Sequence, residues 1–130
     1  MTQIRFLRDK KNWYKTYQHP QEDFGVWLFF QLIQYDFCGN WARDLLRENI
    51  MGPEARGCSG NCSDVEIKGE RAIVSYQFTP EDREEIDILE VDRNHLVEII
   101  NKWQDLSDRD AKEIIVRRDG ERFEIEGVFE

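Results

Sequence analysis

Residues 24–33 read FGVWLFFQLI, and Gln31 is the only polar side chain among them. A segment this apolar cannot lie on a surface, so whatever fold the chain adopts must wrap around it. Acids just ahead of it, Glu22 and Asp23, suit the first turn of a helix. On a helix over residues 21–37, Phe24, Trp27, Leu28 and Tyr35 share one face while Val26, Phe29, Phe30 and Ile33 share another. The apolar positions then cover most of the circumference, which predicts a central buried helix. A strand from Val26 to Ile33 fits the same run, because short apolar segments do not distinguish the two. The run is too short to span a bilayer.

The rest of the chain supplies the wrapping. After Cys38-Gly39-Asn40, Asn40 is placed to cap a second helix, WARDLLRENIM, with Trp41, Leu45 and the Ile50/Met51 pair as its apolar stripe. Gly52-Pro53 ends it, since glycine accepts the left-handed position and proline blocks continuation. Residues 52–63 read as a loop. Period-two alternation in VEIKGERAIVSYQF, residues 65–78, predicts two strands around a turn near Lys68-Gly69. A third strand follows in EEIDILEVD, residues 84–92, with Ile86, Ile88 and Val91 inward, Glu85, Asp87 and Glu90 outward, and a bulge where Ile88 and Leu89 break the alternation. Asp92 caps a helix carrying Leu96, Ile99, Ile100, Trp103 and Leu106 at helical spacing. Asp119-Gly120 between alternating runs predicts a closing hairpin, with both residues central in a type I′ turn. These elements predict an α+β fold, a mainly antiparallel sheet of about five strands with helices packed on one face. At 130 residues the chain is expected to be one domain, 1–130.

Charge narrows the partners. There are 27 acids against 18 bases, a net −9. Residues 1–20 hold five bases and one acid, so the remainder carries −13. Such a field repels phosphate backbones and anionic membranes and speeds encounter with cationic proteins. Direct nucleic-acid or membrane binding is therefore not expected. The basic, aromatic stretch RFLRDKKNWYKTY is expected to pair with the protein's own acids, or to lie on the surface as a first strand or helix. Its flanks lack the apolar core of a secretory signal, and three cysteines suit a reducing compartment, so the expected location is cytoplasmic.

Catalytic signatures are weak. Cys58 and Cys62 form a C-x₃-C pair without the second close pair that a zinc site wants. His95, in the first turn of the third helix, reads as a surface residue, and His19 precedes Pro20. No phosphate-binding glycine motif occurs. The expectation is a protein that is not an enzyme and uses no metal or cofactor, with Cys58, Cys62 and His95 the residues an enzymatic alternative would use.

One surface feature is left. From Glu81 to Asp92 seven carboxylates face Arg83 alone, a local balance of −6. Gathering like charge lowers stability through self-repulsion, a cost that a cationic partner explains. Acids that merely guard a sheet edge against aggregation are the alternative. The partner-binding residues expected from this strip are Glu81, Asp82, Glu84, Glu85, Asp87 and Glu90.

The succession of WLFFQLIQYDFCGNW, EIDILEVDRNHLVEIINKWQDL and EIIVRRDGERFEIEG, over most of residues 24–127, resembles the immunity proteins of bacterial polymorphic toxins, including those of contact-dependent growth inhibition systems. That resemblance implies a small acidic cytosolic antitoxin without cofactor. It would bind the toxin domain of a neighbouring cell and block its active site or substrate entry. The cognate toxin domain is expected to be basic, a nuclease above all. The resemblance assigns no contact residue. An acidic DNA mimic or regulatory adaptor for a nucleic-acid-binding protein is the other reading of the same charge. A homodimer of the free protein, paired through an exposed strand edge, is compatible with both.

Overall fold

The computed structural model describes residues 2–18, 23–52, 57–77 and 88–129. The chain is α+β, but its strands form two antiparallel four-stranded sheets instead of one sheet of five. The first contains β1 (Thr2–Lys10), β2 (Trp13–Lys15), β7 (Glu113–Asp119) and β8 (Arg122–Val128) in the order β2-β1-β7-β8. The second contains β3 (Cys58–Ser59), β4 (Ser63–Lys68), β5 (Arg71–Tyr76) and β6 (Ile88–Asp92) in chain order. The basic amino-terminal stretch thus supplies an interior strand, β1, and the edge strand β2 of the first sheet. Alternation explains it: Ile4 and Phe6 point into the core, while Arg5 lies on the opposite face.

Nor do the helices cover a single sheet face. The central segment is helical, as α1 (Phe24–Phe30), and it touches both sheets. Phe30 stacks on Phe6 of β1 with centroids 4.5 Å apart, Phe29 meets Phe123 of β8 edge-on at 5.7 Å, and Trp27 meets Tyr76 of β5 at 5.1 Å. This position buries Val26, Leu28, Phe29 and Phe30 and leaves Phe24 and Trp27 partly covered. Trp103, on α3 (Arg93–Asp108), is fully buried and makes edge contacts with Phe6, Tyr14, Phe29 and Phe30. These rings tie the sheets and α1 into one core.

Beyond α1 the helix widens into a π-helical segment, Gln31–Asp36, closed by Phe37 N–H donating to the Leu32 carbonyl five residues back, at 2.9 Å. Arg43 follows on α2 (Asn40–Met51). It is 2 % exposed, and its Nη2 donates to the Ile33 carbonyl at 3.1 Å. Burial pushes the Arg43 guanidinium pKa down, while Cys38 and Asp108 push it back up.

That arginine reorients α2. Arg43, Leu46 and Ile50 face the core, and the expected stripe of Trp41 and Leu45 faces solvent instead. Residues two apart on a helix sit about 200° around its axis, so burying Arg43 turns Trp41 outward. The expected Asn40 cap is also corrected. Gly39 occupies the cap position, and Asn40 is the first helical residue, its amide oxygen accepting from Gln104 Nε2 at 2.8 Å. Asp92 does cap α3, accepting from Asn94 N–H at 2.8 Å and His95 N–H at 3.3 Å.

The closing hairpin forms with a different turn. Asp119 pairs with Arg122, so Gly120 and Glu121 are central, and Gly120 alone of the two has positive φ, 61°. One positive φ at the first central position is the type II′ pattern, which glycine serves without strain.

Candidate functional site

Five of the expected contact residues, Glu81, Asp82, Glu84, Glu85 and Asp87, lie outside the described residues. The sixth, Glu90, lies on β6 with its side chain outward. Its surroundings follow from strand register. Val65, Val74 and Leu89 form one inward row of the second sheet, so the alternate residues form its outer face. Three cross-strand rows result: Asp64–Ser75–Ile88, then Glu66–Ile73–Glu90, then Lys68–Arg71–Asp92. Ile73 therefore sits at the centre with a glutamate on either side. Ile88, expected inward, is 50 % exposed on this face, because the Leu89–Val74 pairing sends Leu89 into the core.

Charge on this face is uneven. Arg71 Nη2 lies 2.6 Å from Glu121 Oε1 and 3.2 Å from Glu90 Oε2, so Glu90 shares a cation with the β7–β8 turn. Donating to Glu121, and less strongly to Glu90, raises the Arg71 pKa. Lys68 Nζ reaches Glu66 at 3.7 Å. Asp64 accepts from Ser59 Oγ at 2.6 Å and Gln77 Nε2 at 3.0 Å, which fixes the carboxylate without neutralising it. The Asp92 carboxylate is held by the α3 cap. Both bases occupy the last row, leaving Asp64 and Ile88 at the other end of the face and Ile73 between the two glutamates at its centre.

Three of the five amino-terminal bases pair with acids away from this face. Arg5 pairs with Glu113 at 3.6 Å, Arg8 with Asp110 at 3.9 Å and Lys15 with Asp9 at 3.0 Å. Phe6 and Tyr14 of the same stretch are buried, and the Tyr14 hydroxyl donates to the Ala111 carbonyl.

Cys58 and Cys62 are unbridged, and burial raises the Cys58 thiol pKa to about 11, with a smaller contribution from Asp64. A thiol held in its neutral form is a poor nucleophile. Among the described residues no group of three His, Cys, Asp or Glu side chains is arranged to hold a metal ion.

His95 is not the surface residue that its position suggests. Its side chain is 11 % exposed; Nε2 accepts the Phe123 N–H at 3.0 Å, and Nδ1 lies 3.5 Å from Glu98 Oε1. It thus closes part of the β8 edge. Beyond it, an open groove of about 510 Å³ runs between α3 and β8, bordered by Glu98, Asp105 and Glu124 and by Lys102 and Arg122. Mixed charge and openness make it a surface furrow without a nucleophile and base in register. No described helix is long and apolar enough to cross a membrane. No family model, curated protein or solved structure matches this chain.

Proposed function

We propose that the protein is a stoichiometric inhibitor of a cationic protein, acting as the cytoplasmic immunity partner of a basic bacterial toxin domain, with a nuclease the expected toxin class. The observation that carries this reading is the outer face of the second sheet, where Ile73 and Ile88 stand among Asp64, Glu66 and Glu90 in a chain of net charge −9. Apolar centres within a charged rim are the anatomy of a specific protein interface, and the acids steer a basic partner toward it. The five carboxylates of residues 81–87 immediately precede Ile88 in the chain and add to the same sign. A DNA mimic needs carboxylates spread at phosphate spacing over a whole face, an arrangement that the isoleucines interrupt.

The test measures binding to the basic carboxy-terminal domain of a secreted protein encoded beside this chain. Reversal of Glu85, Asp87 and Glu90 to lysine should slow association at low salt by at least about tenfold and flatten its salt dependence. Unchanged association after that triple reversal would overturn the contact assignment. Failure of any such domain to bind the unmodified protein would overturn the function.

A further inference from the structure

The solvent side of α2 is more apolar than a solvated helix face needs to be. Beyond Asn40 at its start, the exposed positions of the helix are Trp41, Asp44, Leu45, Glu48 and Met51, and their spacing puts them on one stripe opposite Arg43, Leu46 and Ile50. Trp41 is 79 % exposed, and Leu45 and Met51 are each 41 % exposed. An indole left this open, in line with two further large apolar side chains, marks an interaction surface better than a solubility surface. Next to the stripe lies a shallow hollow of about 320 Å³ lined by Asp44, Arg47, Glu48, Met51 and Gly52.

The charged groups around the stripe are set unequally. Arg47 is folded toward α3, donating to Asn101 Oδ1 at 2.5 Å and to Gln104, and pairing with Asp44 at 2.6 Å. The Asp44 side chain stays 73 % exposed despite that pair. Glu48 makes no ion pair among the described residues. The stripe therefore offers an aromatic face, aliphatic surface and two exposed carboxylates, and the Arg47 guanidinium at the edge of the hollow is already occupied by Asn101, Gln104 and Asp44.

We propose that this side of α2 is a docking surface for a cationic segment of another protein, with an arginine or lysine seated on the Trp41 indole. Leu45 and Met51 take an apolar neighbour of that cation, and Asp44 and Glu48 take a second positive charge. An indole face attracts cations through its quadrupole, and tryptophan is over-represented among energetically dominant contact residues. Charge selects this occupant over a second copy of the chain. A two-fold antiparallel pairing of the stripe centred near Leu46 sets Asp44 against Glu48 of the other copy, and two chains of −9 repel. The inference does not depend on the sheet face of the preceding section.

The probe is a synthetic amphipathic peptide of leucine and arginine, titrated into the intact protein by calorimetry and by amide-shift mapping. The arginine peptide should bind and shift amides of residues 41–51, and its leucine–glutamate counterpart should not. Trp41→Ser with Leu45→Ser should weaken binding at least about tenfold. Both side chains are exposed, so the variant should keep its thermal midpoint. Glu66→Lys with Glu90→Lys, on the other sheet face, should change peptide affinity by less than the Trp41 variant does. The inference is overturned if the arginine peptide does not bind, if the α2 variant binds it unchanged, or if the sheet variant alone abolishes binding. It is likewise overturned if sedimentation shows a dimer that the α2 variant dissolves. Retained peptide binding with no capture of a basic toxin domain would remove the proposed function and leave this surface standing.

Discussion

One oxygen of Asp23 serves two parts of the fold: Oδ1 accepts the Val26 N–H at 3.2 Å, capping α1, and meets Arg118 Nη1 of β7 at 2.6 Å. The Asp23 side chain is 8 % exposed, so removing it leaves a half-buried guanidinium without its carboxylate. Asp23→Ala should therefore cost about 2–4 kcal/mol, more than a cap alone. Urea unfolding would read this as a lower midpoint at unchanged slope. A loss under about 0.5 kcal/mol would mean the two contacts carry no weight. Gly25→Ala is an independent probe, because a Cβ there collides with the same guanidinium. It should destabilise the protein by displacing Arg118 from Asp23.

The Asp92 cap separates local charge from hydrogen bonding. Asp92→Ala should cost about 1 kcal/mol although it relieves the crowding of acids in residues 81–92, and Asp92→Asn should cost only a few tenths. If alanine there proved stabilising, self-repulsion would outweigh the cap.

The register of β6 makes a sharp comparison between neighbours. Leu89 is fully buried and Ile88 is 50 % exposed. Leu89→Ala should cost about 2–5 kcal/mol and Ile88→Ala less than about 0.5 kcal/mol. The reverse order in thermal or urea unfolding would require the strand to be shifted by one residue.

Cys58 should govern part of the alkaline limb of stability. Its folded pKa, about 11, lies above the ordinary 9.0, so its contribution is complete below about pH 9 and fades as pH rises toward 11. Cys58→Ala should flatten the stability profile in that window. At pH 8 the buried thiol should hold roughly a hundredth of the thiolate of an ordinary cysteine. Iodoacetamide should then label the exposed Cys38 well before Cys58, as peptide mass mapping of timed aliquots would show. Equal labelling rates would contradict the burial of Cys58.

Where local signals agree with tertiary demand, the chain is legible. The encircling apolar run of α1, the Asp92 cap with its Leu96-to-Leu106 stripe and the closing hairpin all form, because each needs only near neighbours to define it. Two features were left open or misjudged for a common reason: a distant partner decides them. The amino-terminal stretch fits a strand or a helix paired with the protein's own acids, and β7 alongside selects the strand. The orientation of α2 depends on Arg43 reaching a carbonyl in a π-helical segment that no residue pattern announces, so hydrophobicity chose the wrong side. At the candidate interface, the outward direction of Glu90 follows from alternation. Its neighbours Ile73 and Glu66 come from the β4–β5–β6 register, which sequence spacing alone does not supply.

The pairing of Thr2 with Arg118 also sets a timetable for biosynthesis. β1 is made well before its partner β7, with more than a hundred residues between them. Synthesis at about 5–20 residues per second leaves Ile4 and Phe6 without that partner for several seconds. During that interval α1 lacks its contact with β8, so Phe29 waits for Phe123. Chaperone demand should peak there and fall once the β7–β8 hairpin emerges.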